Sequence, residues 1–264
     1  MTTSGVTTRL WRGSWREGHR ALAPEVPVAL VYDGGTEAVM MASPNDLEDF
    51  GVGFSCNERI VETAGEIEDL EVAPVPHGYE VRIKLSRGRR ERLVERRRLR
   101  AGPAGCGLCG IESLAEAVPS LPVVVSRLSM PVEAIVEAMV SMPGLQPLNQ
   151  QTSAMHAAAF FKPDEGIIAV REDVGRHNAL DKLQGCLVRR GIPASAGAIL
   201  MTSRISVELV QKAAVMGAPI LAAISAPTSL AIAQARLAGL TLAGIVRADG
   251  LDVFCGEERL IHAP

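Results

Sequence analysis

Two cysteines three positions apart carry the sharpest chemical signal in the chain. Cys106 and Cys109 lie in Gly105-Cys106-Gly107-Leu108-Cys109-Gly110. The thiolate is the reactive form of cysteine, and nearby cations and helix N-termini favour it. Here the pair follows Arg87 to Arg100, which holds eight arginines in fourteen residues, and precedes Ile111 to Val118, a segment able to form a short helix. A thiolate on a Gly-rich loop can accept sulfur as a persulfide and deliver it elsewhere, and a second cysteine can assist or resolve that persulfide. The competing readings are a zinc half-site and a redox disulfide. A structural zinc needs four protein ligands, and no second cysteine pair stands at a suitable spacing. Cys56, Cys186 and Cys255 read as core or incidental thiols. The arginine run reads first as a solvated face, and second as a means of steering an acidic partner or a phosphate towards the cysteines.

A second set of polar residues recurs at expected strand ends. The segments are Arg171 to Asn178, Thr202-Ser203-Arg204, Ser225 to Ser229 and Arg247-Ala248-Asp249-Gly250. Three contain arginine and three lead into helix N-termini, whose free N–H groups favour anions. Ligands of an open α/β sheet bind beyond the carboxyl ends of its strands. These segments therefore predict a pocket for a large anion, a nucleotide or a pterin phosphate. Arg176, His177, Ser203 and Arg204 are the candidates for holding it. His156, within Met155-His156-Ala157-Ala158-Ala159, reads as a satisfied core residue on an apolar helix. No Gly-rich phosphate fingerprint is present, so neither a P-loop nor a Rossmann reading is supported.

The elements that must position these residues are legible from pattern. The chain has 264 residues, 47% of them hydrophobic and only 3% aromatic, which suits tightly packed α/β layers. Val26 to Tyr32 and Glu37 to Met41 flank Asp33-Gly34-Gly35 as a hairpin. Ser43-Pro44-Asn45-Asp46 starts a helix running to about Val61. Ile67 to Ala73 and Tyr79 to Leu85 form a second hairpin. Beyond Pro119 and Pro122 the chain alternates. Helices are expected over Pro131 to Met142, Ser153 to Phe161, Arg176 to Arg190, Ser206 to Met216 and Thr228 to Ala238. Strands are expected over Gly166 to Val170, Ala198 to Met201, Pro219 to Ile224 and Thr241 to Val246. This predicts an α/β fold: residues 1–20 a flexible arm, 21–122 a small α+β domain with the arginine and cysteine loop, and 123–264 a domain with a mostly parallel sheet.

Charge and cysteine usage exclude several classes. A net charge of −3 argues against a nucleic-acid or membrane-surface protein. Five scattered cysteines do not make a secreted disulfide framework, so a reducing cytoplasm is expected. The first twenty residues lack the apolar block of a signal peptide. The uncharged stretch from Ala213 to Ala235 is broken by Pro219 and Pro227, so no transmembrane segment is expected.

Together, Gly105 to Gly110, His156 to Ala159 and Glu172-Asp173-Val174-Gly175-Arg176-His177-Asn178-Ala179-Leu180-Asp181-Lys182 closely resemble the FdhD family of formate dehydrogenase accessory sulfur carriers. Glu25 to Val31, Met40 to Pro44, Ser203-Arg204, Val210-Gln211-Lys212 and Leu240-Thr241-Leu242 match in the same order. The resemblance implies an N-terminal α+β domain, a cytidine-deaminase-like C-terminal domain and a homodimer. It implies a sulfurtransferase that takes persulfide sulfur from a cysteine desulfurase. That sulfur passes to molybdopterin guanine dinucleotide, the molybdenum cofactor destined for formate dehydrogenase, and no permanently bound metal is implied. The active cysteine falls on Cys106 and its companion on Cys109. The cofactor segment falls on Ile245, Val246, Arg247, Ala248, Asp249 and Gly250. Asp249 departs from the family's pattern there, because a carboxylate faces an anionic cargo.

Three rivals are weighed against this reading. A zinc deaminase needs His-x-Glu and a downstream Pro-Cys-x-x-Cys, but Ala158 stands where the glutamate would be. A thiol–disulfide oxidoreductase places its pair at a strand-to-helix junction, not after a basic Gly-rich loop. The third is a cofactor chaperone that never carries sulfur covalently, an alternative that sequence alone does not exclude.

Overall fold

The computed structural model describes residues 4–99 and 120–262. Cys106, Cys109 and the expected helix over Ile111 to Val118 lie outside the described residues.

The first half is β-rich, as its alternating pattern requires. Strands β3 (Val26–Tyr32), β4 (Gly35–Ala42), β5 (Ile67–Val75) and β6 (Gly78–Leu85) form a sheet in the order β4-β3-β6-β5. Val28, Leu30, Tyr32, Val81, Ile83 and Leu85 point to one face. There they pack on helix α1 (Leu47–Asn57), which starts four residues later than the Ser43-Pro44 signal predicts. Asp46 precedes it in a left-handed conformation, φ 52°. Helix α2 (Arg87–Leu99) then carries the arginine run. Among the described residues, four of its arginines hold carboxylates of this unit: Arg89 to Glu62 and Glu66 at 2.6 and 2.7 Å, Arg90 to Asp33 at 3.0 Å, Arg87 to Glu91 at 3.3 Å, and Arg92 to Glu62 at 3.8 Å.

Residues 5–21, expected as a loose arm, instead pair as a two-stranded hairpin of β1 (Gly5–Trp11) and β2 (Trp15–Ala21). Gly13, at φ +78°, makes the turn.

The second half is built on a six-stranded sheet of order β13-β12-β11-β10-β8-β9. Its strands are β8 (His156–Lys162), β9 (Gly166–Asp173), β10 (Ala198–Met201), β11 (Ile220–Ala223), β12 (Thr241–Arg247) and β13 (Gly250–Cys255). Helices α5 (Arg176–Arg189), α6 (Val207–Met216) and α7 (Ser229–Leu237) cover one face, and α3 (Val132–Ser141) covers the other. The short α4 (Pro147–Thr152) leads into β8. Strands β7 (Met130–Pro131) and β14 (Leu260–Ile261) add a small parallel ladder.

Two expectations need correction. Parallel pairing is confined to β10-β11-β12, while β8, β9 and β13 join antiparallel, so the sheet is mixed rather than mostly parallel. The segment Ser153 to Phe161 is a bend and the strand β8, not a helix. Ala157, Ala158, Ala159 and Phe160 are wholly buried between helices on both faces. In that position small side chains serve a central strand, and tertiary packing overrides alanine's helical preference.

The two halves are joined by α1 lying against α5. A Cβ on Gly53 would stand 1.7 Å from the Asp181 carbonyl oxygen, and one on Gly185 would stand 1.8 Å from that of Asp49. The helices therefore touch backbone to backbone, which glycine alone allows. Asp49, buried beside the crossing, holds Arg171 and Arg189, each at 2.7 Å. No helix among the described residues is long and apolar enough to cross a membrane.

Candidate functional site at the strand-end edge

Strand order brings the polar segments of the sequence to one edge. Strands β9, β10, β11 and β12 run in the same direction and β8 runs against them. The carboxyl ends of the first four therefore meet the start of β8. His156 faces Asp173 across the ladder, and Ala158 faces Met201. The Thr202 N–H donates to the Ala157 carbonyl at 3.0 Å, and the Ile224 N–H donates to Met201 at 3.1 Å. Arg247 returns to the Ile224 carbonyl. Arg176, His177, Ser203, Arg204 and Ile245 to Gly250 thus share this edge, joined by His156.

The Glu172 to Lys182 segment is mainly a clamp. Glu172 accepts from the Leu148 and Asn149 amides at 3.0 and 2.8 Å, closing the start of α4. Asp173, wholly buried, pairs with Lys182 Nζ at 2.6 Å. Its oxygens also accept from the Ser43 N–H, the Gly175 N–H and the Asn178 side chain at 2.8 to 3.0 Å. Lys182 donates onward to the Ser43 carbonyl, and Asn178 to the Met41 carbonyl. One residue further round α5, Asp181 holds Lys212 of α6 at 2.8 Å and Asn57 of α1 at 2.7 Å. These charges are therefore internal ties, each compensated as burial demands.

What the clamp leaves half-buried at the edge is Arg176 and His177, the first two residues of α5. Its cap position is Gly175, which offers no side-chain acceptor. Of the neighbouring helix starts, that of α7 is capped by a side chain and that of α6 is not. Thr228 accepts from the Ala231 N–H at the start of α7. At the start of α6, Glu208 binds Ser206 and its own backbone N–H. Together these outweigh burial and hold its carboxyl below the usual range. Neither Gly175 nor Ser206 caps its helix with a side-chain hydrogen bond, but only Gly175 lacks a side chain that could supply one, and an uncapped N-terminus beside an arginine suits an anion.

Both imidazoles here are held neutral. Burial, reinforced by the Arg176 charge, pushes His177 down from 6.5 to about 4. Burial also lowers His156, with Arg176 adding to the effect. His177 Nε2 stands 3.4 Å from Ser206 Oγ and 3.9 Å from a Glu208 oxygen. Sequence reasoning did not name Ser206 or Glu208, since only the adjacency of two helix starts brings them to His177. Arg176 Nε is buried without a hydrogen-bond partner. Ser203 is buried and bonds the Arg204 carbonyl at 3.1 Å, whereas Arg204 is exposed.

The segment Ile245 to Gly250, expected from the resemblance to hold the cofactor, carries backbone strain. Ile245 and Val246 together oppose Leu251, so β12 bulges there. Ile245 sits at φ +52°, a genuine outlier for a β-branched residue, while its side chain is 39% exposed. Behind it, a Cβ on Gly244 would stand 2.9 Å from the Ser225 carbonyl oxygen, which draws the β11–α7 loop against the bulge. Arg247, Ala248 and Asp249 are exposed beyond it.

Two grooves are found among the described residues. One of about 520 Å³ is lined by Asn45, Asp46, Leu145, Pro147 and Glu172, and one of about 550 Å³ by Cys56, Arg59, Glu62, Leu121 and Gln184. Burial pushes the Cys56 thiol up to about 11, so it is a poor thiolate.

Residues 23–261 match the model of the FdhD/NarQ family. The chain belongs to the FdhD/NarQ family. Among its FdhD/NarQ relatives, the sulfur carrier protein FdhD of Agrobacterium fabrum is 50% identical over 255 residues, covering 96% of this chain and 94% of that one. The protein of the same name from Cupriavidus necator is 49% identical over 254 residues, covering 94% and 88%. A crystal structure of a proposed formate dehydrogenase accessory protein from Desulfotalea psychrophila superposes with a TM-score of 0.77 at 24% identity, covering 98% of this chain and 99% of that one. This FdhD/NarQ chain therefore has the same fold.

Proposed function

We propose that this chain is a sulfur carrier that delivers sulfur through Cys106 to a molybdopterin guanine dinucleotide held at the strand-end edge. The curated relatives near 50% identity are named sulfur carriers. The observation that carries the cargo site is the uncapped start of α5, where Arg176 and His177 are fixed by the buried Asp173–Lys182 tie. Arginine with free backbone amides recognises phosphate by charge-assisted hydrogen bonds. Arg204 and Arg247 on the same edge add positive charge. Asp249 opposes it, and its exposed position lets it turn to solvent.

In the proposed cycle a cysteine desulfurase presents its own persulfide. The Cys106 thiolate attacks the outer sulfur, and the donor thiolate leaves. Cys109 can then attack the inner sulfur of the Cys106 persulfide. This releases hydrosulfide towards the cargo and leaves a Cys106–Cys109 disulfide. The loaded cofactor passes to formate dehydrogenase, and the cytoplasm supplies the reductant that resets the pair.

Replacing Cys106 tests the covalent role. In cells lacking the native gene, Cys106→Ala should abolish formate dehydrogenase activity while the protein still accumulates. Full activity would move the non-covalent cofactor chaperone to first place.

A further inference from the structure

We propose that the tip of the β1–β2 hairpin docks on the open face of the four-stranded sheet of a second copy of this chain. Both tryptophans of the chain, Trp11 and Trp15, sit at this tip. They face each other across the hairpin with ring centroids 5.4 Å apart and are 61% and 59% exposed. The Arg9 guanidinium lies 5.3 Å from the Trp15 ring centre. Tryptophan and arginine are the residues that most often anchor protein interfaces. The hairpin is hydrogen-bonded to no other sheet, and an isolated two-stranded hairpin is marginal in water. At about 3.3 Å per residue, its strands carry the tip roughly 20 Å from its base. It also precedes the family-matched residues, which begin at 23.

The receiving surface is on the same molecule. One face of the β4-β3-β6-β5 sheet packs on α1. The other carries Met41 beside Pro27, then Val39 beside Ala29 and Glu80. Val39 is 62% and Met41 50% exposed, so this chain's own hairpin does not cover them. The charges are complementary. Over residues 5–21, Arg9, Arg12, Arg16 and Arg20 stand against Glu17 alone. Glu25, Glu68, Asp69, Glu71 and Glu80 border the open sheet; Arg82 pairs with Glu71 and Glu80 and Lys84 with Glu68, which leaves the border net negative. An apolar strip rimmed by carboxylates fits an aromatic tip rimmed by arginines. A two-fold axis would make the contact twice, each copy's tip on the other's sheet. A net charge of −3 disfavours a polyanion as the occupant.

The full chain tests this directly, because all tryptophan fluorescence arises at the tip. Sedimentation and emission are followed across a dilution series, with iodide quenching at each point. Dimer formation should shift emission to the blue and protect both rings, and raised salt should weaken it. Trp11→Ser/Trp15→Ser and, separately, Val39→Lys should each weaken dimerisation about tenfold or more. Mixing the two variants restores one tip and one face, so the mixed dimer should form more tightly than either variant alone. A monomer at about 100 μM, a dimer indifferent to both variants, or tryptophan protection that requires added oligonucleotide or anionic vesicles would each overturn the proposal.

Discussion

Asp173 and Lys182 form an ion pair at 2.6 Å with both side chains wholly buried, and the backbone of Ser43 closes it from the other half of the chain. This tie fixes the start of α5, and with it Arg176 and His177. Asp173→Ala leaves an uncompensated ammonium in the core and should cost about 3–5 kcal/mol. Adding Lys182→Met should recover part of that loss. Urea unfolding of the single and double variants checks both statements.

The α1–α5 crossing should be intolerant of a single methyl. Gly53→Ala and Gly185→Ala each place a Cβ within 1.8 Å of a carbonyl oxygen. Backbone on both sides leaves nothing to give way, so each should cost about 3 kcal/mol or more. Gly88→Ala, with nothing within 4 Å, is the control and should be close to neutral. Thermal unfolding separates the three.

His177 predicts a particular acid limb. Its folded pKa, about 4, lies below the ordinary 6.5. The unfolded chain therefore binds the proton more tightly, and stability is lost as pH falls from about 6.5 towards about 4. His177→Gln should flatten that part of the stability–pH curve while leaving the neutral plateau in place. An unchanged slope would contradict the burial of this imidazole.

Much of this architecture is legible in the sequence, and the failures have physical causes. The strands flanking Asp33-Gly34 and the helix ending before Gly191 follow from turn chemistry and periodicity. The helix expected over Ser153 to Phe161 fails because alanine there answers to a sheet buried on both faces, which a linear pattern does not reveal. Strand β13 escapes because Asp252 interrupts its apolar run. Arg176 and His177 stand out in the sequence because they follow a strand and begin a helix. The roles of Asp173, Asn178 and Lys182 as internal ties were not, since burial of a charge depends on a partner more than a hundred residues away, Ser43.

Arg176 should matter for cargo and little for folding. Guanosine diphosphate represents the nucleotide half of the proposed cargo. Arg176→Ala removes a charge-assisted contact and should weaken its binding about ten- to hundredfold. The melting temperature should stay within a few degrees of wild type. Calorimetric titration at fixed salt gives the affinity.

Ile245→Gly should be nearly neutral for stability, unlike the same change elsewhere in a strand. Relief of the left-handed conformation offsets glycine's greater chain entropy and the lost partial burial, leaving about 1 kcal/mol or less. Chemical unfolding against wild type measures it.

The central claim is covalent carriage on Cys106. Wild type, Cys106→Ala and Cys109→Ala are each incubated with a cysteine desulfurase and cysteine without reductant, and intact mass is recorded. A gain of about 32 Da that reductant removes, present in wild type and absent from Cys106→Ala, is the predicted result. An adduct that persists in Cys106→Ala, or none in wild type with a desulfurase shown to be competent, would contradict it.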